Sequence, residues 1–170
     1  MVKTIINQVK SNNDICLVEM LAKKIWREHY PPIIGKEQVS YMLGKYQTTP
    51  AIKKQIENGM RYHLVFEEDH PVGYFSYHYE NQALFLSKIY VAKEVRGRGI
   101  GRQAFEYILD QAKTQSVKVI RLTVNKFNTE TINAYKKLGF ETTDSVVKDI
   151  GGGFVMDDYV MERPVIEEAV

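Results

Sequence analysis

Apolar residues along this 170-residue chain change their spacing several times, and each change marks an element. Residues 4–9 read as a short strand. Ser11 and Asp14 have the spacing of a capping box, after which Ile15, Val18, Leu21, Ala22 and Ile25 recur at helical intervals. Pro31-Pro32 ends that helix, because proline offers no N–H and restrains the residue before it. Two further short helices are predicted over 37–45 and 51–58, with Gly59 as the stop. From Met60 the pattern turns strand-like. It runs over 62–67, turns at Asp69-His70-Pro71, continues over 72–80, and passes a tight hairpin at Asn81-Gln82 into the apolar run 84–92. Ile100, Ala104, Ile108 and Ala112 form the stripe of a helix that begins near Arg102 and ends near Ser116. Ile120, Leu122 and Val124 alternate with Arg121 and Thr123, as a one-sided strand does. Asn128 or Thr129 is placed to cap a short helix carrying Ile132, Tyr135 and Leu138, closed by Gly139. Strands over 140–147 and 154–163, joined through Gly151-Gly152-Gly153, complete the pattern. It predicts one α/β domain over 1–170, with a mixed sheet.

Composition narrows the classes. With 44% hydrophobic and 26% charged residues the chain is ordinary for a globular domain with a real core. A net charge of +2, with cations scattered among acids, argues against a nucleic-acid partner. Cys16 is the single cysteine, so neither an internal disulfide nor a cysteine-rich metal site is expected, and no metal is assigned. Lys3, Asn7, Gln8 and Lys10 interrupt the first residues, unlike the apolar centre of a signal peptide. No apolar run approaches the roughly 20 residues that span a bilayer. A cytoplasmic domain without a membrane partner is the expectation.

Candidate chemistry concentrates at Arg96-Gly97-Arg98-Gly99-Ile100-Gly101, where a strand pattern hands over to a helical one. Glycine leaves no side chain in the way of a ligand, and free N–H groups at a helix N-terminus favour an anion. A glycine-rich turn can also be only a turn. A Walker loop would end in Gly-Lys and Ser or Thr, but Arg102 and Gln103 follow Gly101. A dinucleotide fingerprint would need glycine at position 102 and an acid about 20 residues on, where Thr123, Val124 and Asn125 stand.

Arg96-x-x-Gly99-x-Gly101, after a strand ending Ile89-Tyr90-Val91, resembles the signature of the GNAT superfamily of acyl-CoA-dependent N-acyltransferases. Asn128 followed by Tyr135-Lys136-Lys137-Leu138-Gly139-Phe140 resembles that family's downstream block. Together the two blocks cover about 83–140. The resemblance implies the GNAT fold, a mostly antiparallel mixed sheet flanked by helices and splayed around the acyl-CoA site. It also implies an N-acetyltransferase that moves acetyl from acetyl-CoA to a primary amine by direct attack in a ternary complex. The acceptor would be a small molecule such as a polyamine, or a peptide N-terminus or lysine. A larger acyl group, or a non-catalytic acyl-CoA sensor, remains an alternative.

By the same resemblance, amides at Gly97, Arg98, Gly99, Ile100 and Gly101 hold the pyrophosphate, with Arg96 and Arg102 beside them. The pantetheine arm pairs with Ile89 and Val91 along Tyr90. Asn128 bonds that arm or caps its helix. Arg98 and Lys137 are phosphate candidates, or solvated charges. Tyr135 sits near the sulfur as general acid, a phenol with a pKa of about 10 being protonated at neutral pH. An acceptor ammonium, with a pKa of about 10.4, must lose a proton first. Many family members carry a glutamate on the strand before the glycines; here that strand reads Leu86-Ser87-Lys88-Ile89. Glu80 and His78 on the neighbouring strand are the nearest base candidates. Trp26, Tyr30 and Asp157 are candidates for the acceptor site, which the family builds from its first helices and late hairpin. Edge strands of this fold often pair, so a homodimer is an expectation that no residue here requires.

Overall fold

The computed structural model describes residues 3–166. Its elements run β1 (Thr4–Gln8), α1 (Asn12–His29), α2 (Pro31–Ile34), α3 (Lys36–Tyr46), α4 (Thr49–Glu57), β2 (Arg61–Glu67), β3 (His70–Glu80), β4 (Ala83–Val91), α5 (Ile100–Thr114), β5 (Val119–Asn125), α6 (Thr129–Lys137), β6 (Glu141–Gly151) and β7 (Phe154–Pro164). The capping box forms as the spacing predicts: Ser11 Oγ accepts from the Asp14 amide at 3.1 Å, and Asp14 Oδ2 accepts from the Ser11 amide at 3.2 Å. Backbone donation from Lys10 and Ser11 holds the Asp14 carboxyl below its usual range. α1 ends at His29, and the two prolines open the next helical turn, where their missing N–H groups are not needed. No helix among the described residues is long and apolar enough to cross a membrane.

The seven strands form one sheet in the order β1-β2-β3-β4-β5-β7-β6. Every neighbouring pair is antiparallel except β4 and β5, which run parallel. Strand alternation divides the core between the two faces. Leu64 and Tyr74 pack with α1, α3 and α4, while the adjacent Val65 and Phe75 pack with α5 and α6. The last hairpin is longer than the pattern over 140–147 suggested, because β6 continues to Gly151. Tyr41 Oη and Lys45 Nζ donate to the Ile150 carbonyl at 2.7 and 2.6 Å, so α3 holds the hairpin tip against the sheet.

His63 on β2 is 2% exposed, its ring 4.9 Å from Phe75 and 5.4 Å from Tyr77 in stacked contacts. Burial pushes its pKa from 6.5 down to about 4. Between those values the unfolded chain binds the proton and the folded chain does not. Stability from this group is therefore complete above pH 6.5 and is lost as pH falls toward 4. The loss is on the order of 3 kcal/mol. Urea unfolding at pH 7 and pH 4.5 should show that component, and His63→Phe should remove it.

Candidate active site

β4 and β5 pair only from Ala83 to Phe85 against Val119 to Arg121, and then diverge. The divergence coincides with a bulge in β4: Phe75 faces Ile89 while Tyr77 faces Leu86, so Ser87 and Lys88 together oppose one residue of β3. Lys88 takes the left-handed conformation there, at φ 48°, and its Nζ donates to the Thr123 carbonyl at 3.2 Å across the gap. Beyond the bulge, the β5 side of Ile89, Tyr90 and Val91 is left without a strand. A cavity of about 350 Å³ opens at this edge.

The glycine-rich turn forms one end of the cavity. Gly97 and Gly99 have φ of 81° and 83°, values that L side chains seldom adopt, and Gly99 is the N-cap of α5 with no side chain bonded over the helix end. A Cβ at Gly97 or Gly101 would meet no heavy atom within 4 Å. The helix N-terminus is thus bare and unobstructed, which suits a phosphate. Ile100 anchors the helix beneath it, 1% exposed. Arg96, Arg102 and Lys137 border the same cavity, and Arg96 Nε donates to the Val91 carbonyl at 3.0 Å. Arg98 does not join them. It pairs with Glu67, Nη1 lying 3.0 and 3.4 Å from the two carboxylate oxygens, and does not border the cavity.

Tyr135 of α6 reaches the other end. Its hydroxyl accepts from the Ile89 amide at 2.9 Å, and the side chain is 3% exposed. Burial raises the phenol well above its ordinary value, with the Ile89 amide opposing the shift, so the hydroxyl keeps its proton throughout the neutral range. The Asn128 side chain makes no cap bond, contrary to one reading of its spacing. Instead its Oδ1 lies 3.0 Å from His29 Nε2 on α1, and its buried Nδ2 has no protein partner. The orphaned amide donor lies beside His29, which borders the cavity, and suits a ligand carbonyl.

Glu80 and His78 are not brought to this site. The hairpin pairs Glu80 with Ala83 and His78 with Phe85, at the end of β4 remote from Ile89, and neither borders a cavity at the splay. The two face each other at 3.6 Å, and His78 stacks on Phe85. Trp26 and Tyr30 do border the splay, around a second cavity of about 40 Å³. Trp26 Nε1 donates to Tyr74 Oη at 3.0 Å, so its polar atom is committed to the core. Asp157 turns to the opposite face of β7 and pairs with Lys126 at 2.9 Å. Its neighbour Asp158, 4% exposed, lines the small cavity in its place. Lys88 and His29 are further site residues that spacing did not single out.

The chain's similarities agree with this geometry. A family model described as the acetyltransferase (GNAT) family matches residues 21–140. The chain is 33% identical over 88 residues to the peptidyl-lysine N-acetyltransferase YjaB of Salmonella typhimurium, covering 51% of this chain and 54% of that protein. It is 34% identical over 67 residues to a thialysine N-epsilon-acetyltransferase of Bos taurus, covering 39% of each. The chain therefore spans about half the length of the first relative and less of the second. Among solved structures, the PaiA N-acetyltransferase of Thermoplasma acidophilum in complex with coenzyme A superposes with a TM-score of 0.80 at 18% identity, over 95% of this chain and 99% of that one. The ribosomal-protein-S18-alanine N-acetyltransferase of Escherichia coli superposes at 0.71 and 13%, over 98% and 97%. These identities speak for the fold, and the family match reaches from α1 through the glycine-rich turn to the end of the Tyr135 block. The splayed sheet is that of a family member: the chain belongs to the acetyltransferase (GNAT) family.

Proposed function

We propose that this protein transfers the acetyl group of acetyl-CoA to a primary amine by direct attack within a ternary complex. The observation that carries the reading is the Tyr135 hydroxyl on the Ile89 amide, at the point where the open strand edge meets the glycine-lined helix end. The residues fit acetyl-CoA. Main-chain amides from Gly97 to Gly101 would hold its pyrophosphate, with Arg96, Arg102 and Lys137 in reach. Ile89, Val91 and the free Nδ2 of Asn128 would hold its pantetheine arm. When bound, acetyl-CoA supplies a thioester carbonyl open to attack and a thiolate as leaving group. Tyr135 holds a proton on Oη that it gives to a departing thiolate, and a proton given at that moment lowers the barrier by preventing charge from building up.

The acceptor we infer is a terminal amine on an unbranched chain. The small cavity is narrow and largely apolar, walled by Ile34, Met42 and Met156 beside Trp26 and Tyr30. It admits methylenes better than a bulky ring. The names of the relatives, which act on peptidyl-lysine and thialysine, point the same way. Incubation with acetyl-CoA and a panel of polyamines, amino acids, aminoglycosides and peptides tests the reading. Thiol release should accompany a product heavier by one acetyl group, strongest for unbranched amines. Coenzyme A binding without turnover across the panel would instead make the protein an acyl-CoA sensor.

A further inference from the structure

The reaction needs a group that takes a proton from the acceptor, and β4 offers none: its residue at the bulge is a lysine. Proton acceptors bordering the two cavities, among the described residues, are Glu130, His29 and Asp158. Glu130 lies in the first turn of α6, exposed, and borders only the large cavity. His29 is engaged through Nε2 with Asn128, on the side where the pantetheine arm would lie. Asp158 differs from both. It borders the small cavity, and that cavity meets the large one at Tyr30, Lys88 and Tyr90, the residues that border both.

Its surroundings are those of a working carboxylate. From β5, the Thr123 hydroxyl donates to it, and Asn125 faces it in register. From β4, Lys88 contributes positive charge, and the Lys126–Asp157 pair on the other face acts on Asp158 in opposite senses, Asp157 raising and Lys126 lowering its pKa. From α3, Gln38 spends its amide on the Val155 carbonyl at 2.9 Å. The phenols of Tyr30 and Tyr90 complete the wall.

We propose that Asp158 receives the proton of the acceptor ammonium, with Lys88 as the cation that faces both groups across the small cavity. This rests on the acetyltransferase reading above. Burial raises the Asp158 carboxyl, chiefly by desolvation, and Lys88 opposes it. The result is a carboxylate more basic than an exposed one. An ammonium entering the same narrow cavity meets a like charge on Lys88, which lowers its own pKa. The N–H bond breaks with its electron pair left on nitrogen, which uses that pair to form the new C–N bond. The proton goes to an Asp158 Oδ and then to solvent. The C–S bond breaks with its pair on sulfur, sulfur takes the Tyr135 proton, and the second amine proton restores Tyr135. One proton leaves per acetyl transferred.

Asp158→Asn keeps the shape and the Thr123 contact but accepts no proton. With 1,5-diaminopentane as acceptor, kcat/KM should fall about 100-fold, within the range of general base catalysis. The acidic limb of the pH profile should vanish. Calorimetry on protein saturated with coenzyme A should show diamine binding weakened by about tenfold or more, with coenzyme A affinity unchanged. Lys88→Met should move the acidic limb to higher pH, and it decides the matter if Asp158→Asn does not fold. An unmoved limb in Lys88→Met, a retained limb in Asp158→Asn, or a wild type that binds coenzyme A but no diamine overturns the proposal. A wild type that fails to bind coenzyme A overturns the acetyltransferase reading itself.

Discussion

Gly101→Leu should abolish coenzyme A binding while leaving the protein as stable as before, or slightly more so. Gly101 is the second residue of α5 and borders the donor cavity, yet a Cβ there meets nothing within 4 Å. Unlike Gly97 and Gly99, it is not among the positive-φ glycines, so a side chain brings no backbone strain. Leucine also favours a helix over glycine by up to about 1 kcal/mol. The same side chain would stand over the amides that face the pyrophosphate. Losing that anion site should weaken binding on the order of 1000-fold, about 4 kcal/mol. Titration calorimetry with coenzyme A, run beside thermal unfolding, separates the two effects. Wild-type affinity in Gly101→Leu would overturn the assignment of the turn.

Tyr135→Phe should lower kcat by about 100-fold or more while coenzyme A affinity changes only a few-fold. The hydroxyl borders the cavity, but its one described bond is to the Ile89 amide, so removing it takes away the acid and little of the binding surface. Stability should fall as well. The Ile89 N–H loses its acceptor in a part-buried setting, and an unpaired buried donor costs about 1–3 kcal/mol. Because burial raises the phenol, the acid stays protonated across the neutral range, and the wild-type rate should show no basic limb from Tyr135 there. Pre-steady-state thiol release compared between wild type and Tyr135→Phe reads the chemical step directly. An unchanged rate would sink the role.

Local signals carried most of the fold. The Ser11–Asp14 box, the prolines after Tyr30 and the alternation over 120–124 each depend on residues a few positions apart, and each element formed where they stand. What stayed hidden depended on register or on distant partners. One of Asp157 and Asp158 had to face inward, but which one is decided by pairing of β7 with β5, where Asp158 meets Asn125. Asn128 stands at its cap position, yet its side chain turns to His29, 99 residues earlier. The distance of Glu80 and His78 from Ile89 is set locally. A tight turn at Asn81-Gln82 already pairs residue 80 with 83 and 78 with 85, which sets both far along β4 from Ile89. Lys88 could be read only as a missing glutamate, because the bulge that sends its side chain across the gap arises from pairing with β3.

The splay between β4 and β5 also divides the site by where its parts lie along the chain. Everything that would hold the donor comes from one continuous stretch, β4 through α6, and is largely main chain. The walls of the small cavity are drawn from both ends of the chain, α1 to α3 and β7, together with Lys88, Tyr90 and Asn125 of β4 and β5. Gln38, Met42 and Met156 border only the small cavity, so point mutations there can reshape it without touching the residues that would hold the donor. Such a protein changes its customer while keeping its currency.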